Sequence, residues 1–127
     1  MNDTISDTEL RKLAATHSTP LYVNSLAELR ERADTLMGLK MPYGFVPRYA
    51  AKANMNPDII GCFRKAGLHF DASSSYEAME LIAMGVEPSN ISLSSQQPAH
   101  NLAELLKLGV LYTATSLHQL ELFLRTA

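Results

Sequence analysis

The sequence predicts an α/β fold built on a parallel sheet, and three observations carry that prediction. Gly67, Gly85 and Gly109 each follow a segment of helical periodicity and precede a short apolar run of β character. A helix C-terminus is therefore expected at each glycine and a strand after it. Strand and helix alternate with no hairpin signal between them, so successive strands are expected to be joined by right-handed crossovers. Finally, Gly67-Leu-His-Phe-Asp-Ala-Ser-Ser74 runs parallel to Gly109-Val-Leu-Tyr-Thr-Ala-Thr-Ser116, and each closing serine is followed at the third residue by a capping partner, Glu77 or Gln119. That is one supersecondary unit used twice. A barrel of repeated units and an open sheet both satisfy these observations.

The elements follow in order. Ser6-Asp-Thr-Glu9 has capping-box spacing and is followed by Leu10, Leu13 and Ala14 on one face, which predicts a first helix over 7–16. His17-Ser-Thr-Pro20 ends it, and Leu21-Tyr22-Val23 is a short strand candidate. Ser25-Leu-Ala-Glu28 is a second capping box, opening a helix with Leu26, Leu29, Ala33 and Leu36 along one stripe. Gly38 to Gly44 makes a turn-rich connection into an apolar run from Phe45-Val46 through Tyr49-Ala50-Ala51. That run predicts a strand ending at Lys52, after which Asn56-Pro57 offers an N-cap and a proline at the first helical position. The later helices are expected over Pro57–Ala66, Ser75–Met84, Ala99–Leu108 and Leu117–Thr126. The strands between them are expected over Leu68–Ala72, Ile91–Ser94 and Val110–Ala114.

Composition narrows the functional classes. A chain of 127 residues with 46% hydrophobic content is long enough for one domain with a real core. Its 11 basic and 13 acidic side chains give a formal charge of -2, and they form no block of like charge, so nucleic-acid and membrane binding have no support. No apolar run approaches the ~20 residues of a spanning helix. The single cysteine, Cys62, has no internal disulfide partner and is read as a structural thiol inside a helix. Met1-Asn-Asp-Thr-Ile lacks a basic segment followed by an apolar core, so a cytoplasmic protein is expected.

Two residues stand out as candidates for chemistry. Lys52 closes a strand just before a helix, and in a (β/α) barrel the chemistry sits at the C-terminal strand ends. An amine on a rigid strand end is suited to imine formation with an aldehyde, although a solvated lysine closing a strand satisfies the same spacing. Asp71 stands at the corresponding end of the next strand, where a carboxylate can hold an ammonium group or assist proton transfer. The plainer reading of Asp71 is an aspartate satisfying backbone donors at a helix start. Ser74 and Glu77 are explained by capping, and Ser94-Ser-Gln-Gln-Pro98 is either a cleft lining or an ordinary loop. His17, His69, His100 and His118 lack metal-site spacing, so no metal is expected. Neither a Gly-x-Gly-x-x-Gly nor a Gly-x-x-x-x-Gly-Lys element occurs.

Tyr49-Ala-Ala-Lys-Ala-Asn-Met-Asn-Pro-Asp-Ile-Ile60 resembles the pyridoxal-phosphate amino-acid decarboxylases that include diaminopimelate and ornithine decarboxylase. The likeness runs from Thr19-Pro-Leu-Tyr-Val23 through Phe70-Asp-Ala-Ser-Ser-Ser-Tyr-Glu77 to Ile91-Ser-Leu and Thr113-Ala-Thr-Ser116, covering most of the chain. It implies that Lys52 is the Schiff-base residue, binding pyridoxal 5'-phosphate and acting in catalysis, while Asp71 remains a catalytic candidate by its place at the next strand end. Lys-Ala-Asn-x-Asn-Pro-x-Ile is closer to the diaminopimelate branch, which favours a diamino or other basic amino acid as substrate. Two departures from that branch are Ser75-Tyr76, where a glycine pair usually precedes the glutamate, and Ser95-Gln96-Gln97, where Gly-Asn and a lysine are common.

The resemblance also implies architecture. A full (β/α)8 TIM-like barrel takes ~250 residues, and this chain supplies about four βα units, so it is expected to be the N-terminal half of such a barrel. On that reading residues 1–24 are an N-terminal helix and short strand, and 25–127 a partial barrel domain. The family's ring-stacking histidine, glycine-rich phosphate loop, acidic partner of the pyridine nitrogen and β-rich second domain would then lie beyond Ala127. A homodimer is implied for a full-length version, and the 127-residue chain alone is expected to be inactive. The alternative is a non-catalytic pyridoxal-phosphate-binding or regulatory homologue.

Overall fold

The structure, a computed structural model, describes residues 5–126. Residues 1–4, part of the segment read above for a leader, and residue 127 lie outside the described range. Helix α1 (Asp7–His17) begins at the expected capping box, with Glu9 N–H donating to Ser6 Oγ and Ser6 N–H to Glu9 Oε2 at 2.9 Å. None of its residues is buried, so local capping defines this helix more than packing does. The Ser6 hydrogen bonds also hold the Glu9 carboxyl below its ordinary range. Helix α2 (Leu26–Met37) is capped by Ser25 and lays Ala33 into the core, with Leu29 and Leu36 beside it.

The strand expected at Leu21-Tyr22-Val23 does not form, and the Tyr22 side chain is 99% exposed. A strand needs a neighbour for its backbone groups, and the described strands pair only with one another. They are β1 (Arg48–Ala50), β2 (His69–Ala72), β3 (Ile91–Leu93) and β4 (Leu111–Tyr112), all parallel in the order β1-β2-β3-β4. Parallel pairing throughout bears out the crossover reading, with α3 (Pro57–Ala66), α4 (Ser75–Ala83), α5 (Leu102–Leu108) and α6 (Leu117–Thr126) following the four strands.

Register sorts the strand residues into two rows. Tyr49, Phe70 and Ile91 are aligned on one face, where Phe70 and Ile91 are fully buried among Ile60 and Phe63 of α3, Leu81 of α4 and Leu105 of α5. The Tyr49 ring meets Phe63 at 4.6 Å and Phe70 edge-on at 6.3 Å. This is the core face. Ala50, Asp71, Ser92 and Leu111 form the row on the other face, which is polar at its centre and half-open.

Several boundaries moved for local reasons. The first strand starts only after Pro47, which has no N–H to give a ladder, and Phe45 and Val46 remain 43% and 53% exposed. It also stops at Ala50, so Lys52 is not a strand residue: it lies in a single 3-10 turn, Ala51–Ala53, closed by Asn54 N–H on Ala51 O. Helix α5 begins at Leu102, not Ala99, because Asn101 has non-helical torsions (φ -110°, ψ 30°) and is the N-cap. Glycines 67 and 109 end α3 and α5 in the left-handed conformation, with φ of 88° and 98°, as their positions predicted.

Candidate active site

The Lys52 turn is held at both ends. Ala51 before it is fully buried, and beyond it the Tyr49 hydroxyl donates to Asn54 O at 3.2 Å. Asn54 Oδ1 then accepts from Asn56 N–H and Asn56 Oδ1 from Asp58 N–H, both at 2.9 Å. The two asparagines of Lys-Ala-Asn-Met-Asn-Pro are thus a pair of side-chain-closed turns, the second of which caps α3. They fix the backbone between β1 and α3 while the Lys52 side chain stays exposed. Burial of the tyrosine ring pushes the Tyr49 phenol above its ordinary value, which keeps the hydroxyl a donor.

Asp71 sits on β2 and is half-buried, and its Oδ2 accepts from the Ser94 hydroxyl at 2.8 Å. Next to it, Ser73 gives both its N–H (2.8 Å) and its hydroxyl (2.9 Å) to the Glu77 carboxylate, while Glu77 N–H donates to Ser74 Oγ. The glutamate reaches one residue further back than a capping box requires. Its twin does the same: Thr115 N–H and hydroxyl donate to Gln119 Oε1 at 2.8 and 2.9 Å, and Gln119 N–H donates to Ser116 Oγ. The sequence echo is therefore a structural repeat down to individual hydrogen bonds.

These residues open on one cleft of about 630 Å³, lined by Lys52, Asp71, Ser73, Ser94, Gln97 and His100 among others. It lies past the C-terminal ends of β1, β2 and β3, and its volume suits a small organic ligand. The Ser94–Pro98 segment, ambiguous in sequence, is one of its walls. His100 also lines the cleft, a placement that its sequence surroundings did not signal. His69 lies elsewhere on the sheet, with Nδ1 buried and unbonded; burial and then the Arg48 charge hold its pKa below the ordinary value. No group of acidic, histidine or cysteine side chains suited to a metal occurs among the described residues, and no described helix is long and apolar enough to cross a membrane.

The family described as pyridoxal-dependent decarboxylase, pyridoxal binding domain, matches residues 24–126. The chain belongs to that family. It is 32% identical over 111 residues to the diaminopimelate decarboxylase of Zymomonas mobilis, covering 84% of this chain and 26% of that protein. To the lysine/ornithine decarboxylase of Selenomonas ruminantium it is 34% identical over 90 residues, 71% of this chain and 22% of the other. The chain thus spans about a quarter of the length of these relatives. Among solved structures, the arginine decarboxylase of Paramecium bursaria Chlorella virus bound to agmatine superposes with a TM-score of 0.75 at 23% identity, over 91% of this chain and 32% of that one. The shared fold is a barrel-type arrangement of parallel βα units, and the domain is one that binds pyridoxal.

Proposed function

We propose that this chain forms the lysine-bearing wall of a pyridoxal-phosphate-dependent decarboxylase of a basic or diamino amino acid, with the diaminopimelate branch favoured. The observation that carries the reading is the meeting of Lys52, Asp71 and Ser94 on one cleft beyond the strand ends of a pyridoxal-binding domain. The names of its relatives, which act on diaminopimelate, lysine or ornithine, support the substrate class.

The residues present fit the aldehyde end of the cofactor. Lys52 is exposed to the cleft on a fixed backbone, so Nζ is the atom that would hold the aldehyde carbon. Asp71 is tethered through Oδ2 by Ser94, which leaves Oδ1 to hold a proton for Nζ when a substrate amine takes its place. When bound, pyridoxal phosphate supplies the electron sink for the pair left behind by departing carbon dioxide. No arginine lines the cleft among the described residues, so the phosphate end finds no cationic clamp there.

Incubation of the 127-residue chain with pyridoxal phosphate, borohydride reduction and peptide mapping tests this reading. The chain has five lysines, Lys12, Lys40, Lys52, Lys65 and Lys107, and the adduct is expected to concentrate on Lys52, with weak binding and no carbon dioxide released by the chain alone. Label spread evenly over all five overturns it. A second reading, a cofactor-binding or regulatory homologue without catalysis, is favoured by the exposure of Lys52. Carbon dioxide release from labelled diaminopimelate, lysine and ornithine, measured on the protein purified at its natural length, separates the two. The catalytic reading carries with it a homodimer in the cytoplasm.

A further inference from the structure

The repeated unit contains one difference that changes its reach. At the third helical position Glu77 presents a carboxylate, which accepts hydrogen bonds and donates none, and it accepts from Ser73 within its own unit. Gln119 occupies the same position in the later unit and is 2% exposed. Its Oε1 accepts from Thr115, as Glu77 does from Ser73. Its Nε2, an atom glutamate does not have, donates to Ser95 O at 2.9 Å, a residue 24 positions earlier on the cleft wall. The partners fix which way the amide points: Thr115 N–H demands an acceptor and Ser95 C=O a donor.

Ser95 is itself buried, at 7% exposure, and its Oγ accepts from Gln97 N–H at 3.1 Å. The Thr115 hydroxyl adds a longer contact to Ser95 O at 3.4 Å. The residue just before Ser95 is Ser94, whose hydroxyl engages Asp71. A continuous path therefore runs from the start of α6, through the Ser95 carbonyl, to the carboxylate that faces the cleft with Lys52. A buried amide bonded on both its nitrogen and its oxygen tolerates little displacement.

We propose that Gln119 is a positioning residue: it clamps the 94–97 wall to α6, and so holds the Ser94 hydroxyl on Asp71 and shapes the cleft beside Lys52. It touches neither ligand nor reacting atom. The clamp itself rests on the structure alone, and its effect at Lys52 rests on the cofactor reading given above.

The test is Gln119→Glu in the full 127-residue chain. This change keeps the acceptor for Thr115, in the manner of Glu77, and removes the donor to Ser95 O while setting a carboxylate against that carbonyl. Amide hydrogen exchange at Ser95, Gln96 and Gln97 is expected to quicken about tenfold, the effect of one net hydrogen bond lost. Exchange at Gln119, which donates to Ser116 Oγ, is expected to stay as in the parent. The yield of borohydride-trapped adduct at Lys52 is expected to fall severalfold at unchanged far-ultraviolet circular dichroism. Thr115→Val, which leaves the Nε2 donor in place, covers the case in which Gln119→Glu does not fold: its quickening is expected to be smaller and confined to the same three amides. Unchanged exchange at 95–97 in a folded variant overturns the clamp. If those amides quicken and the Lys52 yield holds, the link to the cleft is overturned. If Lys52 is trapped in neither parent nor variant, the cofactor reading fails and the exchange result still decides the clamp.

Discussion

Replacing Glu77 by alanine removes an anchor next to the cleft, and the repeat supplies its own control. Both Ser73 bonds to the carboxylate are short, 2.8 Å from N–H and 2.9 Å from the hydroxyl, and the groups are part-buried. Hydrogen bonds to a charged acceptor contribute about 1.5–3 kcal/mol net, and leaving a part-buried N–H without a partner costs about 1–3 kcal/mol. These two figures describe overlapping effects, so Glu77→Ala is expected to destabilise by about 2–3 kcal/mol. Glu77→Gln retains an acceptor of the kind Gln119 already provides for Thr115, so only the charge assistance is lost, about 1 kcal/mol. With a urea dependence of about 2 kcal/mol/M for a chain this size, the alanine variant should unfold about 1 M earlier than the parent and the glutamine variant about 0.5 M earlier. Circular dichroism through a urea titration reads both. If the two variants shift equally, or the alanine midpoint stays within about 0.2 M of the parent, the carboxylate does not hold Ser73 as described.

Three further outcomes follow from the same structure. The lowered pKa of His69 means that the unfolded chain takes up its proton more readily than the folded one; the stability it contributes is present above about pH 6.5, starts to be lost below that and is gone once pH has fallen through the folded value. Urea midpoints should therefore drop as pH falls below about 6.5, and more steeply in the parent than in His69→Leu. Gly61 lies inside α3 with nothing within 4 Å of an added Cβ, whereas Gly109 has equally open space but a φ of 98°; Gly61→Ala should raise the stability read from urea unfolding by about 0.5–1 kcal/mol and Gly109→Ala lower it by about 1 kcal/mol. Phe70→Ala empties the centre of the core face, where the side chain is fully buried, and the expected loss of about 3–5 kcal/mol is a large share of a typical domain's stability. A sharp unfolding transition retained near the parent midpoint would refute that placement.

What was legible in the sequence was local. The bounds of α3 and α6 came out as expected because Asn56, Pro57, Gly67 and Ser116 are all within a few residues of the ends they set. The start of α5 was misplaced: Asn101 has non-helical torsions although its side chain makes no cap hydrogen bond, so the helix begins at Leu102 and not at Ala99. The absent strand at Leu21–Val23 could not be judged from its own residues, since pairing depends on a neighbour elsewhere in the chain. Lys52 was expected to close the strand and instead lies two residues past it, because its 3-10 turn depends on Tyr49 reaching Asn54 and on two asparagines folding back. Asp71 with Ser94, and Gln119 with Ser95, are contacts across 23 and 24 residues. They follow from strand register, which no single segment encodes.

The two faces of the sheet explain why the fold is better defined than the site. Parallel strands are normally covered on both sides, and here the helices cover only the row of Tyr49, Phe70 and Ile91. The opposite row carries Asp71 and Ser92 at its centre and ends on Leu111, which is 47% exposed. Lys52 opens toward solvent beyond the same row. A structure laid over that row would bury Leu111 and shield Lys52 in one step. Stability and ligand binding would then be linked: a ligand held by Lys52 and Asp71, as proposed, would favour the covered form, and covering would strengthen the ligand's polar contacts by excluding water.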